Sequence, residues 1–337
     1  MLRQIIQEEI PDAHDFSLPL TDLSIDSFGL IVLRGRIEAA LGLPVSDDAW
    51  DSIQTLNDIL ALSAAGTRVS PPRPAAMERR SFAINMPQMA MEGLSESWLL
   101  KELGDMHWSM ITKGLGSPSS ELRDGSGNRL YATFTRIHYA FVRPLGAIGE
   151  NTSLDLRGTI ARFGAGTFVS DIAIGHVDAP GEARLMSNFA RRGETTNTSL
   201  LKGQPAIPPD CPIPDGPPPA FMLEYRDRRA ATAPPALFET DYEIIPFHDI
   251  NGVGLLYFAA YPIISDICSL RHAEDFANRS TISRDIFYFA NADTRDRLVF
   301  RVHRWEQSPA TLNVETSLSR KSDGRLMAYV LTSKSVG

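Results

Sequence analysis

Apolar residues recur at helical spacing in the N-terminal part of the chain. Residues 2–10 carry leucine and isoleucine near this spacing and predict a first helix. A second helix is predicted over 26–41, because its apolar positions continue until glycine and proline interrupt them. A short segment at 47–53 and a last helix at 55–62 follow. The pattern therefore predicts a compact four-helix domain over residues 1–64.

The rest of the chain shows one pattern twice, a helix followed by strands in which apolar and polar residues alternate. The first copy predicts a helix over 93–108 and strands over 130–142, 152–161, 167–174 and 182–190. The second copy predicts a helix over 254–274 and strands over 284–290, 297–305, 310–320 and 326–333. A helix with an antiparallel meander, present twice, predicts an α+β fold and resembles two fused hot-dog domains, a double hot dog.

Two stretches lack periodicity and are predicted to be linkers. Residues 65–81 gather proline, alanine and arginine, as a flexible tether does. Residues 203–235 contain ten prolines, too many for the interior of a strand or helix. These linkers place the first hot-dog domain at residues 82–202 and the second at 236–337.

The chain has 337 residues, of which 43% are hydrophobic and 22% charged, as in ordinary globular proteins of two or three domains. No apolar run has the length of a membrane span, and the N-terminus lacks the apolar core of a signal peptide. We therefore expect a cytoplasmic protein without a membrane partner. Cys211 and Cys268 are the two cysteines, which excludes a disulfide framework and a zinc cluster, and no metal is expected.

Negative charge is concentrated in the predicted N-terminal domain. Residues 1–63 hold eleven acidic and three basic residues, a balance of −8 that equals the net charge of the whole chain. An acidic domain on a neutral body argues against nucleic acid as a partner. It indicates a domain that is recognised through its negative surface.

This domain resembles an acyl carrier protein in the order of its helices, in its acidity and in the motif Leu23-Ser24-Ile25-Asp26-Ser27-Phe28. The resemblance implies that a phosphopantetheinyl transferase attaches 4′-phosphopantetheine to Ser27. The position suits the group, because a phosphodiester at the start of a helix meets free amides and the positive end of the dipole. The alternative is that Asp26 and Ser27 only cap the helix.

A polar turn, Asp249-Ile250-Asn251-Gly252, opens onto the second predicted hot-dog helix. The free amides of a helix start can polarise a thioester carbonyl beside the turn. The turn resembles the Asp-x-Asn-Gly turn of hot-dog thioesterases and related enzymes. Val253 replaces the usual histidine, which argues against ordinary thioester hydrolysis. The alternative is that Asp249 and Asn251 merely cap the helix.

Several motifs go beyond a generic hot dog. They are Met86-Pro87-Gln88-Met89, Gly93-Leu94-Ser95-Glu96-Ser97-Trp98-Leu99, Gly104-Asp105-Met106-His107-Trp108, Arg129-Leu130-Tyr131-Ala132-Thr133-Phe134 and the Asp249 turn. Together they resemble the bifunctional methylmalonyl acyltransferase/decarboxylase family of leinamycin biosynthesis over about residues 82–333. The resemblance implies a polyketide-pathway enzyme that acylates a tyrosine from methylmalonyl-CoA, decarboxylates it, and passes propionyl to a carrier phosphopantetheine thiol. The fused carrier domain departs from the family and suggests an acceptor in cis, without excluding a carrier in trans.

The resemblance assigns the acylated tyrosine to Tyr131. Alternation along the strand 130–141 would place Thr133, Thr135, Ile137, Tyr139 and Phe141 on the same face as Tyr131, and Arg136 and His138 on the other. A phenol needs a neighbouring base, cation or amide to react, and the sequence does not show which group supplies it. From the residues alone, Tyr131 reads as a strand aromatic packed at an interface, and only the resemblance makes it a nucleophile.

The remaining site residues follow from the chemistry of an enolate, which needs fixed donors at its oxygen. Asn251 is predicted to donate to that oxygen, and Gly252 to allow the backbone to approach. His107 and Trp108, at the predicted end of the first hot-dog helix, are candidates for the lining of the cleft, with core packing as the alternative. Two other functions stay open: a thioesterase or dehydratase with Asp249 as its base, and a non-catalytic carrier or docking protein.

Overall fold

The computed structural model describes residues 2–11, 13–23, 25, 27–41, 45, 50, 52–62, 76–91, 93–164, 166–193, 200–231 and 233–335. Among these residues, no helix combines the length and apolar character that crossing a membrane requires.

The N-terminal domain is helical where it is described. Its helices are α1 (Leu2–Glu9), α2 (Ser27–Leu41) and α3 (Leu56–Ala61), with a 3-10 turn at Leu20–Asp22. Their apolar faces enclose a small core centred on Ile6, Leu33, Ile37, Leu56 and Ile59. Thr55 caps α3 in a reciprocal capping box with Asp58. Most of the predicted segment 47–53 lies outside the described residues.

The body is built on one antiparallel sheet of eleven strands. The strands of the body are β1 (Ala76–Ile84), β2 (Met89–Ala90), β3 (Gly93–Leu94), β4 (Tyr131–Phe141), β5 (Thr152–Phe163), β6 (Thr167–Gly175), β7 (Gly181–Arg192), β8 (Leu200–Lys202), β9 (Phe238–Glu243), β10 (Thr281–Tyr288), β11 (Arg297–Gln307), β12 (Thr311–Arg320) and β13 (Leu326–Ser335). The helices are α4 (Glu96–Leu115), α5 (Ala220–Ala230), α6 (Pro246–Asp249) and α7 (Ala260–His272), with 3-10 turns at Met86–Gln88, Leu145–Ala147 and Glu274–Asn278. β2 and β3 form a separate hairpin.

The sheet consists of two halves with the same internal order. The strand order is β1-β5-β6-β7-β4-β10-β13-β12-β11-β9, with β8 paired to β7. The halves join where β4 runs antiparallel to β10, with Ile137 opposite Ile286. Both long helices, α4 and α7, contribute to one core on the same face of the sheet. This arrangement confirms the predicted α+β double hot dog behind a helical N-terminal domain.

The opposite face of the sheet is covered by α5, which the sequence did not predict. Phe221, Met222 and Tyr225 of α5 pack against Met186 and Tyr329, among other side chains of that face. The prolines of the segment 203–235 lie before and after α5, and Pro219 directly precedes its first residue, where proline is tolerated. The prediction that the whole segment lacks a helix was therefore wrong.

The predicted linker 65–81 is also too long, because residues 76–81 belong to β1. This strand lies at the edge of the sheet and carries Glu78 and Arg80. Arg80 binds Asp105 of α4 at 2.6 Å, and Lys113 of α4 binds Glu78 at 2.9 Å. The sequence did not predict this strand, because its charged side chains interrupt the alternation of apolar and polar residues.

A register shift in β4 changes which side chains share a face. Pairing with β7 slips between Phe134 and Arg136, which identifies a bulge at Thr135. As a result the ring of Phe134 contacts His107 of α4, while Arg136 lies over Phe221 of α5. The predicted face that joined Tyr131 to Ile137, Tyr139 and Phe141 is therefore wrong beyond the bulge, since these three residues pack in the core beside α4 and α7.

Candidate functional site

A cavity of about 770 Å³ lies where the two halves meet. Its walls come from the start of β4, the end of β7, one side of α4, the segment before α7, and Tyr225 and Arg229 of α5. Four of the predicted site residues line it, namely Trp108, Tyr131, Thr133 and Asn251. The structure therefore brings the strand with Tyr131 and the Asn251 turn, which are far apart in sequence, to one cavity.

Tyr131 is half-buried and lies between two arginines. The Cζ atoms of Arg129 and Arg192 lie 5.1 and 5.6 Å from the centre of its ring. Arg192 also donates a hydrogen bond to the carbonyl of Val253 in the turn of the second half. It thus contacts both the phenol ring and the Asn251 turn. Sequence reasoning missed both cations, although Arg129 stands in the Arg129-Leu130-Tyr131 motif.

The neighbourhood of Tyr131 is polar on one side and aromatic on the other. Thr133 donates its hydroxyl to the carbonyl of Asn188 at 3.2 Å. The ring of Phe134 lies 4.5 Å from that of Phe258, which comes from the second half. Trp108 of α4 lines the same wall and packs against Phe189, with ring centres 5.9 Å apart.

The Asn251 turn uses most of its own hydrogen-bonding groups. The side-chain oxygen of Asn251 accepts hydrogen bonds from the amides of Val253 (3.1 Å) and Leu255 (3.0 Å). The Asn291 side chain accepts from the Leu256 amide at 2.9 Å. Because α7 begins only at Ala260, the expectation that the helix amides open directly onto the turn was wrong. The side-chain nitrogen of Asn251 donates to no described residue, so it is the donor that the turn can offer to the cavity.

Asp249 lies inside the protein and does not line the cavity. Its carboxylate accepts hydrogen bonds from the Tyr242 hydroxyl (3.0 Å) and the Ile245 amide (2.8 Å), and it contacts Nδ1 of His248 (2.8 Å). Burial and the neighbouring Asp249 carboxylate raise the pKa of Tyr242. These contacts hold the turn, and they leave no open carboxylate for a substrate. Gly252 also lies outside the cavity lining, with open space where a side chain would be.

His107 is fully buried in the middle of α4, not at its end as predicted, because the helix continues to Leu115. Its ring nitrogens lie 2.7 Å from the Ser170 hydroxyl and 2.8 Å from the Ser187 hydroxyl. Burial lowers its pKa to about 3, so the ring is neutral at physiological pH. His107 does not line the cavity and contributes to the packing of α4 on the sheet.

Positive charge predominates among the ionisable residues that line the cavity. The basic residues are Lys101, Arg129, Lys202, Arg229, Arg320 and Arg325, and the acidic ones are Asp105 and Asp323. Arg320 binds Asp323 at 2.5 Å, and this contact lowers the pKa of Asp323 to about 2. An excess of cations favours an anionic ligand that carries a carboxylate or phosphate.

Ser27 is the first residue of α2, and its side chain lies outside the described residues. The helix that it begins is 15 residues long and packs through Leu33 and Ile37 into the core of the N-terminal domain. A helix start suits the phosphodiester of a phosphopantetheine group, because the first four amides of a helix have no partners within the helix itself.

Comparison with known proteins supports both parts of this description. The family model for the phosphopantetheine attachment site matches residues 2–62. A 12:0-ACP thioesterase from Umbellularia californica has a similar structure, with a TM-score of 0.54 and 14% identity over 77% of this chain and 94% of that one. An acyl-ACP thioesterase from Bacteroides thetaiotaomicron gives a TM-score of 0.50 and 15% identity over 77% of this chain and 98% of that one.

A protein described as an oleoyl thioesterase, from Lactobacillus plantarum, gives a TM-score of 0.55 and 11% identity over 78% of this chain and 97% of that one. No curated protein matches the chain in sequence. At these identities the structural matches establish the fold of the body alone. The chain thus joins a phosphopantetheine-bearing carrier domain to a double hot-dog body.

Proposed function

We propose that this protein is a bifunctional acyltransferase/decarboxylase that converts methylmalonyl-CoA into a propionyl unit on a carrier phosphopantetheine in polyketide biosynthesis. The observation that carries the proposal is Tyr131, a phenol on the wall of the cavity between the halves, between Arg129 and Arg192. A phenol can hold an acyl group as an ester, and the adjacent positive charge favours its reaction as a nucleophile.

The reaction has three steps. The Tyr131 oxygen attacks the thioester carbon of methylmalonyl-CoA, and CoA leaves as its thiol with the phenol proton. The bond to the free carboxylate then breaks, carbon dioxide leaves, and the electron pair forms an enolate that takes up a proton on carbon from solvent water. Finally the pantetheine thiol attacks the propionyl ester, its proton returns to the phenol oxygen, and Tyr131 is regenerated.

The residues of the cavity suit the charges that these steps create. The free side-chain amide of Asn251 is placed to donate to an enolate oxygen, and preorganised donors of this kind stabilise transition states strongly. The cationic lining attracts the carboxylate and the CoA phosphates. Phe134, Phe258 and Trp108 provide an apolar wall, which favours loss of the carboxylate because it reduces its solvation.

Hydrolysis of a carrier-bound acyl thioester is the second candidate, favoured by the carrier domain together with structural neighbours whose names specify ACP thioesterases. Such a reaction needs a general base that faces the substrate. Asp249 is closed off by Tyr242 and Ile245, and Val253 lines the cavity at the position of the usual histidine. Free acid as the product would distinguish hydrolysis from decarboxylation.

Intact-mass measurement of the phosphopantetheinylated protein with methylmalonyl-CoA tests the proposal. We expect the mass of a propionyl group on the arm and release of carbon dioxide, and neither with Tyr131→Phe. Tyr329→Phe is the matched control, because it also removes a phenol oxygen but lies in the packing under α5. A Tyr131→Phe protein that still loads propionyl would contradict the acyl-tyrosine route. If the arm of the wild-type protein never gains an acyl group, the proposed acyltransferase/decarboxylase activity is wrong.

A further inference from the structure

The carrier domain contacts the body through α2, which packs against Asp215 and Pro218 of the proline-rich segment. Arg34 of α2 is buried and binds Glu38 at 3.0 Å within its own helix. It also binds Asp215 of the body at 3.3 Å. Asp215 in turn binds Arg162 at 3.3 Å and accepts a hydrogen bond from the amide of Gly164. The contact therefore links α2 to the turn between β5 and β6.

Close packing at Gly35 accompanies these charges. A β-carbon at Gly35 would lie 1.6 Å from Cγ of Pro218, so only glycine fits against that ring. Glycine inside a helix is unfavourable by about 1 kcal/mol relative to alanine, so α2 carries this residue against its own helical preference. The contact with Pro218 supplies a physical reason for it.

A second contact joins the acidic α1 to the basic face of α5. Glu9 forms an ion pair with Arg226 of α5 and accepts a hydrogen bond from Arg36 of α2 at 2.6 Å. The last turns of α5 also carry Arg228 and Arg229. The acidic charge of the carrier domain therefore meets a basic helix, as complementary docking surfaces do.

The helix that holds the carrier also lines the cavity. Tyr225 and Arg229 reach the cavity, and Arg226 between them reaches Glu9. Residues three apart are neighbours on a helix surface, so Arg226 at the Glu9 contact lies beside Arg229 at the cavity. Ser27 precedes Arg34 by seven residues, which is about 10 Å along α2. A pantetheine arm on Ser27 therefore starts about 10 Å along α2 from the contact between Arg34 and Asp215.

We infer that residues 205–230 form the docking surface for this chain's own carrier domain, from which the arm on Ser27 enters the cavity. The inference rests on the proposed function for what the arm receives. It identifies the acceptor as the carrier in cis. The surface is defined by its charge and by the contact between Gly35 and Pro218.

Charge reversal in the full-length phosphopantetheinylated protein tests the docking surface. We expect Arg226→Glu to slow propionyl loading about tenfold and to increase amide hydrogen exchange in residues 220–230. Adding Glu9→Arg to that variant should restore part of both, because the ion pair with residue 226 is rebuilt in the opposite sense while the bond from Arg36 to Glu9 is lost. Arg143→Glu, at an exposed site two residues beyond the end of β4, is the matched control and should change neither. Unchanged exchange and loading in Arg226→Glu would overturn the inference.

A second variant avoids any change of charge. Gly35→Ala favours the helix but clashes with Pro218, so we expect faster exchange in residues 205–230 and slower loading. If exchange responds to these variants while the wild-type arm never gains an acyl group, the docking stands and the proposed function fails.

Mixing two full-length variants separates cis from trans. A Ser27→Ala protein has an intact cavity without an arm, and a phosphopantetheinylated Tyr131→Phe protein has an arm without the proposed nucleophile. Docking in cis predicts that their mixture loads propionyl much more slowly than the wild type at the same concentration. Loading of the mixture at the wild-type rate would show that another molecule occupies the surface and would overturn the inference.

Discussion

At the scale of single residues, positive charge is concentrated around Tyr131. Arg129 comes from the chain just before β4, and Arg192 from the end of β7, where Ala190 pairs with Tyr131. Arg192 additionally fixes the carbonyl of Val253. A single side chain therefore both places charge at the phenol and holds the turn that carries Asn251.

Substitution of Arg192 tests this double contact. We expect Arg192→Ala to lower the rate of the proposed Tyr131 acylation about a hundredfold, the scale of removing one electrostatic contact to a reacting group. Arg192→Lys should recover part of the rate because it keeps the charge. Arg191→Ala is the control, since the neighbouring Arg191 points to the other side of β7 and lies 3.7 Å from Asp124. Single-turnover kinetics gives the rate, and a wild-type rate in Arg192→Ala would refute the role.

Because the pKa of buried His107 is lowered, we expect the stability of the body to depend on pH. The pKa of His107 is about 3 when folded and about 6.5 when unfolded, so the unfolded chain binds more protons between these values. The free energy of unfolding should therefore fall as pH decreases from 6.5, by at most about 1.4 kcal/mol per pH unit from this residue. Urea unfolding at pH 7 and 5 measures the slope. His107→Gln should have a shallower slope, and the exposed control His14→Gln should not.

At the scale of elements, the position of α4 is set by its contact with the second half of the body. A β-carbon at Gly104 would lie 2.4 Å from the ring of Phe258, which lies two residues before the start of α7. The missing side chain on α4 therefore allows the segment before α7 to reach the cavity wall formed by Phe134. The glycine in this helix is explained by packing, because alanine would favour the helix by about 1 kcal/mol.

Gly104→Ala separates these two effects. The substitution stabilises a helix in isolation but displaces Phe258, so we expect slower propionyl loading together with a lower melting temperature. A second change, Phe258→Leu, makes room for the new methyl group and should recover part of the stability. Thermal unfolding and the loading rate provide the measurement. A rise in melting temperature with unchanged loading would show that the contact does not shape the cavity.

At the scale of the whole molecule, the two halves differ at equivalent positions. Where the segment before α7 meets β4, the cavity is open. Where the start of α4 meets β10, Arg284 is buried and binds Glu96 of α4 at 2.9 Å and Asp266 of α7 at 2.6 Å. Both carboxylates lower the energy of the cation, which raises the pKa of Arg284 despite its burial. The equivalent place in the second half is therefore filled by an ion cluster that ties both long helices to the sheet.

Removal of Arg284 should destabilise the junction of the halves. Arg284→Ala leaves Glu96 and Asp266 without this partner, and loss of one member of a buried ion pair costs about 3–5 kcal/mol. Urea unfolding of the full chain measures the change. Arg279→Ala is the control, because Arg279 binds an exposed carboxylate, that of Asp275. A loss of less than about 1 kcal/mol in Arg284→Ala would show that the cluster is not needed to join the halves.

The local patterns of the chain determined the fold class. Alternation and helical spacing are consequences of which side of each element is buried, so the repeated helix and meander were visible before any contact was known. The helices of the carrier domain were likewise visible in the sequence. The position of Ser27 at the start of α2 also followed from a local motif. The edge strand β1 and α5 were missed because charges and neighbouring prolines conceal their buried positions.

Only the tertiary structure showed which side chains line the candidate site. A bulge at Thr135 changes the facing of β4, and strand pairing brings Arg192 beside Tyr131. His107 and Asp249 are buried in the protein interior, although both are polar residues in motifs that predicted a place at the cleft. These outcomes depend on partners distant in sequence, and a single-sequence pattern contains the spacing of residues but not the register in which distant strands pair.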